Sequence, residues 1–360
     1  MKNTIGNSVC VTLFGESHGK GVGAVIDGLA AGIKVDEEFI KSQLTLRRPV
    51  GKISTTRREE DAFTIESGVF EGKTTGTPIC IIIPNSDTRS KDYEPSVPRP
   101  SHADFAAHIK YNGFEDYRGG GHFSGRITAA LVAAGAIIID ALRQKGIMIG
   151  THISRCASVD DAAFSDYQKE IPLLCSKEFA VLDDLKGQLM QQKIAEAKAE
   201  GDSVGGILET AIINMPAGVG EPWFDTVEGV LSKALFSIPA VKGIEFGAGF
   251  SITDKKGSEA NDSFIFNDGK IMTATNNSGG INGGITNGMP IIFRTAVKPT
   301  PTISKEQASV NIKTLESCKL KSVGRHDPCI VHRARVVADS VTAIVLADLL
   351  ALRYGTDWLA

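Results

Sequence analysis

The 360-residue sequence predicts one interleaved domain that mixes helices and strands, and three observations carry that expectation. Every residue from Ile127 to Ile139 is Ile, Leu, Val, Ala, Gly or Thr, so a helix there is apolar all round and belongs in a core. Short β-prone apolar runs recur on both sides of it, at 8–14, 21–26, 78–83 and 206–214. No linker divides the chain cleanly, so residues 1–360 are read as a single domain.

Taken in order, Ser8 to Phe14 is a strand ending in Gly15-Glu-Ser-His-Gly19, and Gly21 to Ile26 is a second strand. Val35 to Leu46 fits a helix: Asp36 caps it, acids fill its first turn, and Phe39, Ile40 and Leu44 share a face. Arg47, Arg48, Lys52, Arg57 and Arg58 then form an acid-free basic run, closed by Glu59, Glu60 and Asp61. Phe63 to Phe70 and Pro78 to Ile83 read as strands, the second apolar enough to be buried. A proline-rich loop over 84–101 delivers Arg99-Pro-Ser-His-Ala-Asp104, and a helix is expected to follow it. The three glycines at 119–121 permit positive φ and close approach to a ligand; Ser124 then caps the apolar helix, which is expected to end at Asp140. That run of thirteen is shorter than the roughly 20 residues a bilayer span needs.

Beyond the central helix, residues 157–203 are polar, with a surface helix over Val181 to Glu200 stopped by Gly201. Gly206 to Asn214, the turn Met215-Pro-Ala-Gly-Val219 and a helix to Leu235 faintly echo Gly23 to Leu44, which points to an internal duplication or to a common strand–turn–helix unit. Ala240 to Phe250 is strand-like, 276–284 is rich in Asn and Gly, Lys298-Pro-Thr-Pro-Thr302 follows a strand, and Gly324-Arg-His-Asp-Pro328 precedes an apolar helix ending near Arg353.

Hydrophobic content of 42% and charged content of 22% are those of a soluble globular protein, and a net charge of −3 carries no nucleic-acid or membrane signature. The N-terminus has no apolar stretch of signal length, so a cytoplasmic location is expected. Six cysteines form no C-x-x-C pair; Cys329 and His332 make a lone C-x-x-H, weak as a metal signal, and no metal site is expected.

His18, His102, His122 and His326 all sit beside glycine, arginine or proline turns, as groups poised for acid–base work do. Arg47, Arg48, Arg99, Arg126 and Arg325 lie at loops or element ends, and guanidinium pairs bidentately with carboxylate and phosphate, so a ligand with several negative groups accounts for them. For Arg57 and Arg58 a solvated basic face weighs equally. Gly15-Glu-Ser-His-Gly19 matches the G-x-S-x-G of hydrolases, which would make Ser17 a nucleophile, but it comes before that fold has laid down its central strands. No P-loop or dinucleotide fingerprint is present. A Ser17 hydrolase and a non-catalytic anion-binding module remain as competing readings.

Gly15-Glu-Ser-His-Gly19, Arg47-Arg48-Pro49, Arg99-Pro-Ser-His-Ala-Asp104, Arg118-Gly-Gly-Gly121, Ser124-Gly-Arg126, Ala240-Val-Lys-Gly243, Lys298-Pro-Thr300 and Gly324-Arg-His-Asp-Pro-Cys329 occur in this order in chorismate synthases, and the sequence resembles that family over nearly its whole length. The resemblance implies an α+β sandwich, helices between antiparallel sheets, with an internal pseudo-repeat. It implies 1,4-elimination of phosphate from 5-enolpyruvylshikimate 3-phosphate, the last step of the shikimate pathway, in a homotetramer that requires reduced FMN. By resemblance His18 is the acid near the leaving phosphate, His102 stands near the flavin, and Asp327 assists removal of the ring proton. FMN contacts map to His122, Phe123, Ser124, Ala240, Gly283, Lys298, Pro299, Thr300, Pro301, Thr302 and Arg325; substrate contacts map to Ser17, Arg47, Arg48, Arg99 and Arg126. The sequence departs from many members in having His122-Phe-Ser-Gly-Arg126 where they carry Arg-Ser-Ser-Ala-Arg, and Pro239 where Asn is common. Members that reduce their own flavin with NADPH are generally longer, so this chain is expected to depend on an external flavin reductase, with NADPH only as an outside source of reducing equivalents.

Overall fold

The computed structural model describes residues 2–49, 51–55, 59–86, 95–267, 269–321 and 326–360. Strands β1 (Thr4–Ile5), β2 (Cys10–Gly15) and β3 (Gly21–Asp27) form a meander, and α1 (Glu37–Arg47) follows, with Asp36 accepting a cap bond from Phe39 N as the sequence predicts. The expected strand over 63–70 is β4 (Thr64–Ser67) and then β5 (Val69–Phe70), which pairs in a small hairpin with β6 (Lys73–Thr74). β7 (Ile79–Pro84) completes a first antiparallel sheet in the order β1-β2-β3-β7-β4. Its Ile79, Ile81 and Ile83 are fully buried, whereas Cys80 and Ile82 are half-buried, so one face meets the core and not both.

After α2 (Asp104–Lys110), the apolar run forms α3 (Thr128–Gln144), one turn longer than the composition switch at Asp140 implies, because only Asp140 escapes full burial between Thr128 and Leu142. With its 3₁₀ lead-in, the stretch Gly125–Gln144 is long and apolar enough to cross a bilayer, but 89% of its most apolar window is buried inside the protein, as in a core helix.

The second half repeats the path of the first. β8 (Met148–Cys156) leads through β9 (Val159–Asp160), α4 (Tyr167–Ser176) and α5 (Asp184–Ala199) to β10 (Gly206–Ile213) and α6 (Val227–Leu235). The expected strand to Phe250 stops early: β11 is Val241–Phe246, and a 3₁₀ turn follows. After the short α7 (Gly257–Ala260) come two hairpins, β12–β13 (Phe264–Asn267, Lys270–Thr273) and β14–β15 (Ile281–Asn282, Ile285–Thr286). β16 (Ile291–Val297), the hairpin β17–β18 (Gln307–Val310, Ser317–Leu320) and α8 (Val331–Tyr354) complete the chain. The second antiparallel sheet runs β11-β16-β10-β8-β9. In each half two paired strands (β2–β3, β8–β10) are followed by a helix, a third strand joins the second (β7, β16), and a long apolar helix follows (α3, α8). The echo in the sequence is therefore a pseudo-repeat of structure.

The two long helices pack on each other between the sheets, α3 also against β3 and β7, and α8 against β8 and β10. Gly135 permits the approach: a Cβ there would lie 2.3 Å from Ser340 Cβ. Asp348 on α8 accepts hydrogen bonds from the backbone N–H groups of Asn7, Ser8 and Val9, which ties the start of the first sheet to the second long helix.

Candidate active site

A cavity of about 1570 Å³ opens where the turn after β2, the loop before α2, the glycine loop, the segment before β11, the segment after β16 and the start of α8 meet. Gly119, Gly120 and Gly121 have φ of 63°, 89° and 52°, a left-handed run that residues with a Cβ rarely adopt. A Cβ at Gly119 would meet Ser17 and His18, one at Gly120 would lie 3.1 Å from His102 Cε1, and one at Gly121 would collide with Asp116 O. Successive glycines thus bring His18 and His102, far apart in sequence, to one loop.

Each ring is held. His102 Nδ1 lies 2.6 Å from Asp104 Oδ1, and Arg99 grips the same carboxylate through Nε and Nη2, both at 2.7 Å. Burial works to raise the Asp104 pKa, but the bonds from Arg99 and His102 win and hold it well below the usual carboxylate range. His122 Nδ1 donates to Gly15 O at 2.8 Å, which leaves Nε2 as its second position for a partner.

Ser17 is fully buried; its N–H donates to Gly121 O and its hydroxyl to Arg118 O. The chain leaves β2 by a turn into β3 rather than into a helix, so Ser17 is neither an exposed nucleophile nor a lining residue, and the nucleophile elbow is absent.

Of the arginines expected at the site, Arg47, Arg48, Arg99 and Arg126 line the cavity, but three of these already hold internal acids. Arg126 Nη1 pairs with Asp61 and, at 2.8 Å, with Glu59; its Nε donates to Asn85 Oδ1 and its Nη2 to Pro84 O. Arg47 Nη2 donates to the other Asp61 oxygen at 2.6 Å. Burial opposes ionisation of Asp61, yet Arg47 and Arg126 together lower its pKa. Arg48 has no carboxylate partner among the described residues, and its Nε is buried without a hydrogen bond.

Asp327 lines the cavity at the foot of α8: Oδ1 accepts from Thr55 N at 2.8 Å and Oδ2 from Arg333 Nη1 at 2.5 Å. His326 lies beside it on the wall. Phe123, Ser124, Ala240, Lys298, Thr300, Pro301 and Thr302 also line the cavity. Lys298 Nζ donates to Ser101 O, and burial and then the nearby Lys242 lower its pKa. Neither lysine has a carboxylate partner among the described residues, and Thr300 Oγ1 is buried with no hydrogen bond.

Two expected cofactor residues do not line the cavity. Pro299 is exposed and is not among the residues that line it, and Gly283 is exposed in the turn of the β14–β15 hairpin. Arg325, like Arg57 and Arg58, lies outside the described residues. In the C-x-x-H pair, His332 Nε2 pairs with Ser54 Oγ, and Cys329 Sγ lies 3.8 Å from Cys156 Sγ. Sequence reasoning missed Asp61, Glu59, Asn85 and Arg333; for the first two, the acids that close the basic run were the available signal.

The chorismate synthase family matches residues 9–351. A chorismate synthase of Pyrococcus abyssi is 47% identical over 350 residues, covering 97% of both chains, and one of Methanobrevibacter smithii is 48% identical over 352 residues, covering 97% of this chain and 96% of the other. A crystal structure of a chorismate synthase superposes with a TM-score of 0.78 at 31% identity, over 98% of this chain and 94% of that one.

Proposed function

The chain belongs to the chorismate synthase family, and from that premise we propose which of its residues carry the reaction. The activity is that of a carbon–oxygen lyase: phosphate leaves 5-enolpyruvylshikimate 3-phosphate by 1,4-elimination with loss of a ring proton, giving chorismate in the shikimate pathway. The observation that carries the residue-level reading is the position of His18 and His102 against successive glycines in a cavity that also holds Asp327 and cations with no carboxylate partner among the described residues.

In this reading His18 gives a proton to the departing phosphate, and Asp327, oriented by Arg333 and Thr55 N, assists removal of the ring proton. Arg48 takes an anionic group of the substrate directly. Arg47, Arg99 and Arg126, fixed by Asp61 and Asp104, turn their remaining N–H groups to it. His102, held by Asp104, controls charge at the flavin edge of the cavity.

The family depends on reduced flavin, and the residues present fit one: the volume is ample, Phe123 offers an aromatic edge, and Lys298, Lys242 and the unpaired Thr300 hydroxyl suit a phosphate. We assign FMN, held by His122, Phe123, Ser124, Ala240, Lys298, Thr300, Pro301 and Thr302. Reduced flavin supplies electron density to the breaking C–O bond when bound. The assignment extends to a homotetramer of one-domain protomers, supported by Phe264, Phe266 and Ile271 exposed on one hairpin, and to a cytoplasmic enzyme whose flavin is reduced by a separate NADPH-consuming reductase.

An anaerobic assay with purified protein, FMN and substrate, followed by chorismate absorbance, tests this. Dithionite starts the reaction at once, whereas NADPH alone does not until a flavin reductase is added. Prompt turnover with NADPH alone would remove the external reductase, and phosphate release without flavin would remove the cofactor assignment.

A further inference from the structure

The structure assigns to Asn85 a positioning role, for we infer that its side-chain amide locks the turn carrying His18 to the guanidinium of Arg126. Asn85 follows the last residue of β7, and its backbone N–H donates to Lys20 O at 3.1 Å. Its Nδ2 donates to Glu16 O at 2.9 Å and to Gly19 O at 3.0 Å, the two ends of the turn that contains His18. Its Oδ1 accepts from Arg126 Nε at 2.9 Å. Both amide hydrogens and the amide oxygen are therefore spent on joining two parts of the cavity wall. The same turn is closed by Gly19 N donating to Glu16 O and held from its other side by Ser17 N donating to Gly121 O. His18 thus stands between the glycine loop and Asn85. Only an amide does both jobs, since a carboxylate repels the two carbonyls and an aliphatic side chain reaches neither partner. The role rests on the reading above, in which His18 is the acid and Arg126 belongs to the anion-binding wall.

The test measures kcat and KM anaerobically with dithionite-reduced FMN for Asn85→Asp, Asn85→Ala, His18→Ala, Arg126→Lys and the double variant His18→Ala/Asn85→Ala, each normalised to folded protein by circular dichroism. Asn85→Asp keeps the acceptor for Arg126 and loses the donors to the turn, so kcat falls by about 10- to 100-fold while KM stays near that of the parent. Asn85→Ala loses both, so kcat falls and KM rises. Because Asn85 acts through His18, the double variant turns over no more slowly than His18→Ala alone. If Asn85→Ala does not fold, Asn85→Asp, which keeps the size of the side chain, decides. Parental kcat in folded Asn85→Asp, or losses that add in the double variant, overturns the role while leaving the site reading in place. Parental kinetics in both His18→Ala and Arg126→Lys overturns the site reading, and this role with it.

Discussion

Gly119 lies directly against His18: a Cβ on Gly119 would sit 2.8 Å from His18 Nε2 and 2.4 Å from Ser17 Oγ. Gly119→Ala must displace the histidine or the loop, and it also forces alanine into φ of 63°. A sharp fall in kcat is expected, with a stability loss of about 1–3 kcal/mol for the strained backbone. Gly120→Ala meets His102 Cε1 at 3.1 Å, a contact that a small ring shift relieves, and is expected to keep more turnover. Steady-state kinetics and denaturant melts of the two variants check the ranking; equal turnover in both would show that the loop yields freely.

His18→Ala and His102→Ala each lower kcat by roughly 10²–10⁴, the range for a lost general acid or base. Both histidines precede or follow regular elements rather than forming the core, so the variants keep the parental circular dichroism. Wild-type turnover in both would take them out of the mechanism.

Asp327→Asn keeps an acceptor for Thr55 N and loses the charge that pairs with Arg333. The variant is expected to bind FMN and substrate, measured by fluorescence quenching, yet to turn over slowly. Lost flavin binding with a normal rate per bound flavin would make the carboxylate structural.

His152 sits fully buried away from the cavity, with Nδ1 2.8 Å from Asp161, Nε2 3.3 Å from Glu209, and Phe164 against its ring. Burial alone would drive the imidazole neutral, but the bonds to Asp161 and Glu209 override it and raise its pKa above the ordinary 6.5. A raised folded-state pKa stabilises the fold fully below the unfolded value of about 6.5 and loses that contribution as pH rises through the folded value. The melting temperature of the parent, compared with that of His152→Gln, should therefore show its largest advantage below that value and a shrinking one on the alkaline side. An advantage that grows with pH would mean a neutral imidazole.

Local features were legible because they depend on neighbours a few positions away. Asp36 caps α1 and Ser124 accepts from Arg126 N at the lead-in to α3, as their residue types require, and the continuous apolar runs of β7 and α3 each declared their element, while the one-sided burial of β7 was decided by packing. α4 was hidden by its polar setting and by Pro172 in its interior, although Asp166 caps it and Ile171 and Leu174 are buried. The histidines and glycines of the cavity could be named from the sequence for the same local reason, since turns advertise themselves by composition.

Which charges meet was decided only by the tertiary structure. Asp61 reaches Arg47 across 14 positions and Arg126 across 65, Asn85 reaches Arg126 across 41, and Thr55 N reaches Asp327 across 272. An ion pair or side-chain hydrogen bond depends on where two sheets and two helices bring distant backbones, and its distance tolerance is a few tenths of an ångström. Composition and spacing carry no information at that scale, so the sequence alone determined that arginines gather at this site, while packing decided that Arg47, Arg99 and Arg126 are held by internal acids and left Arg48 without one among the described residues.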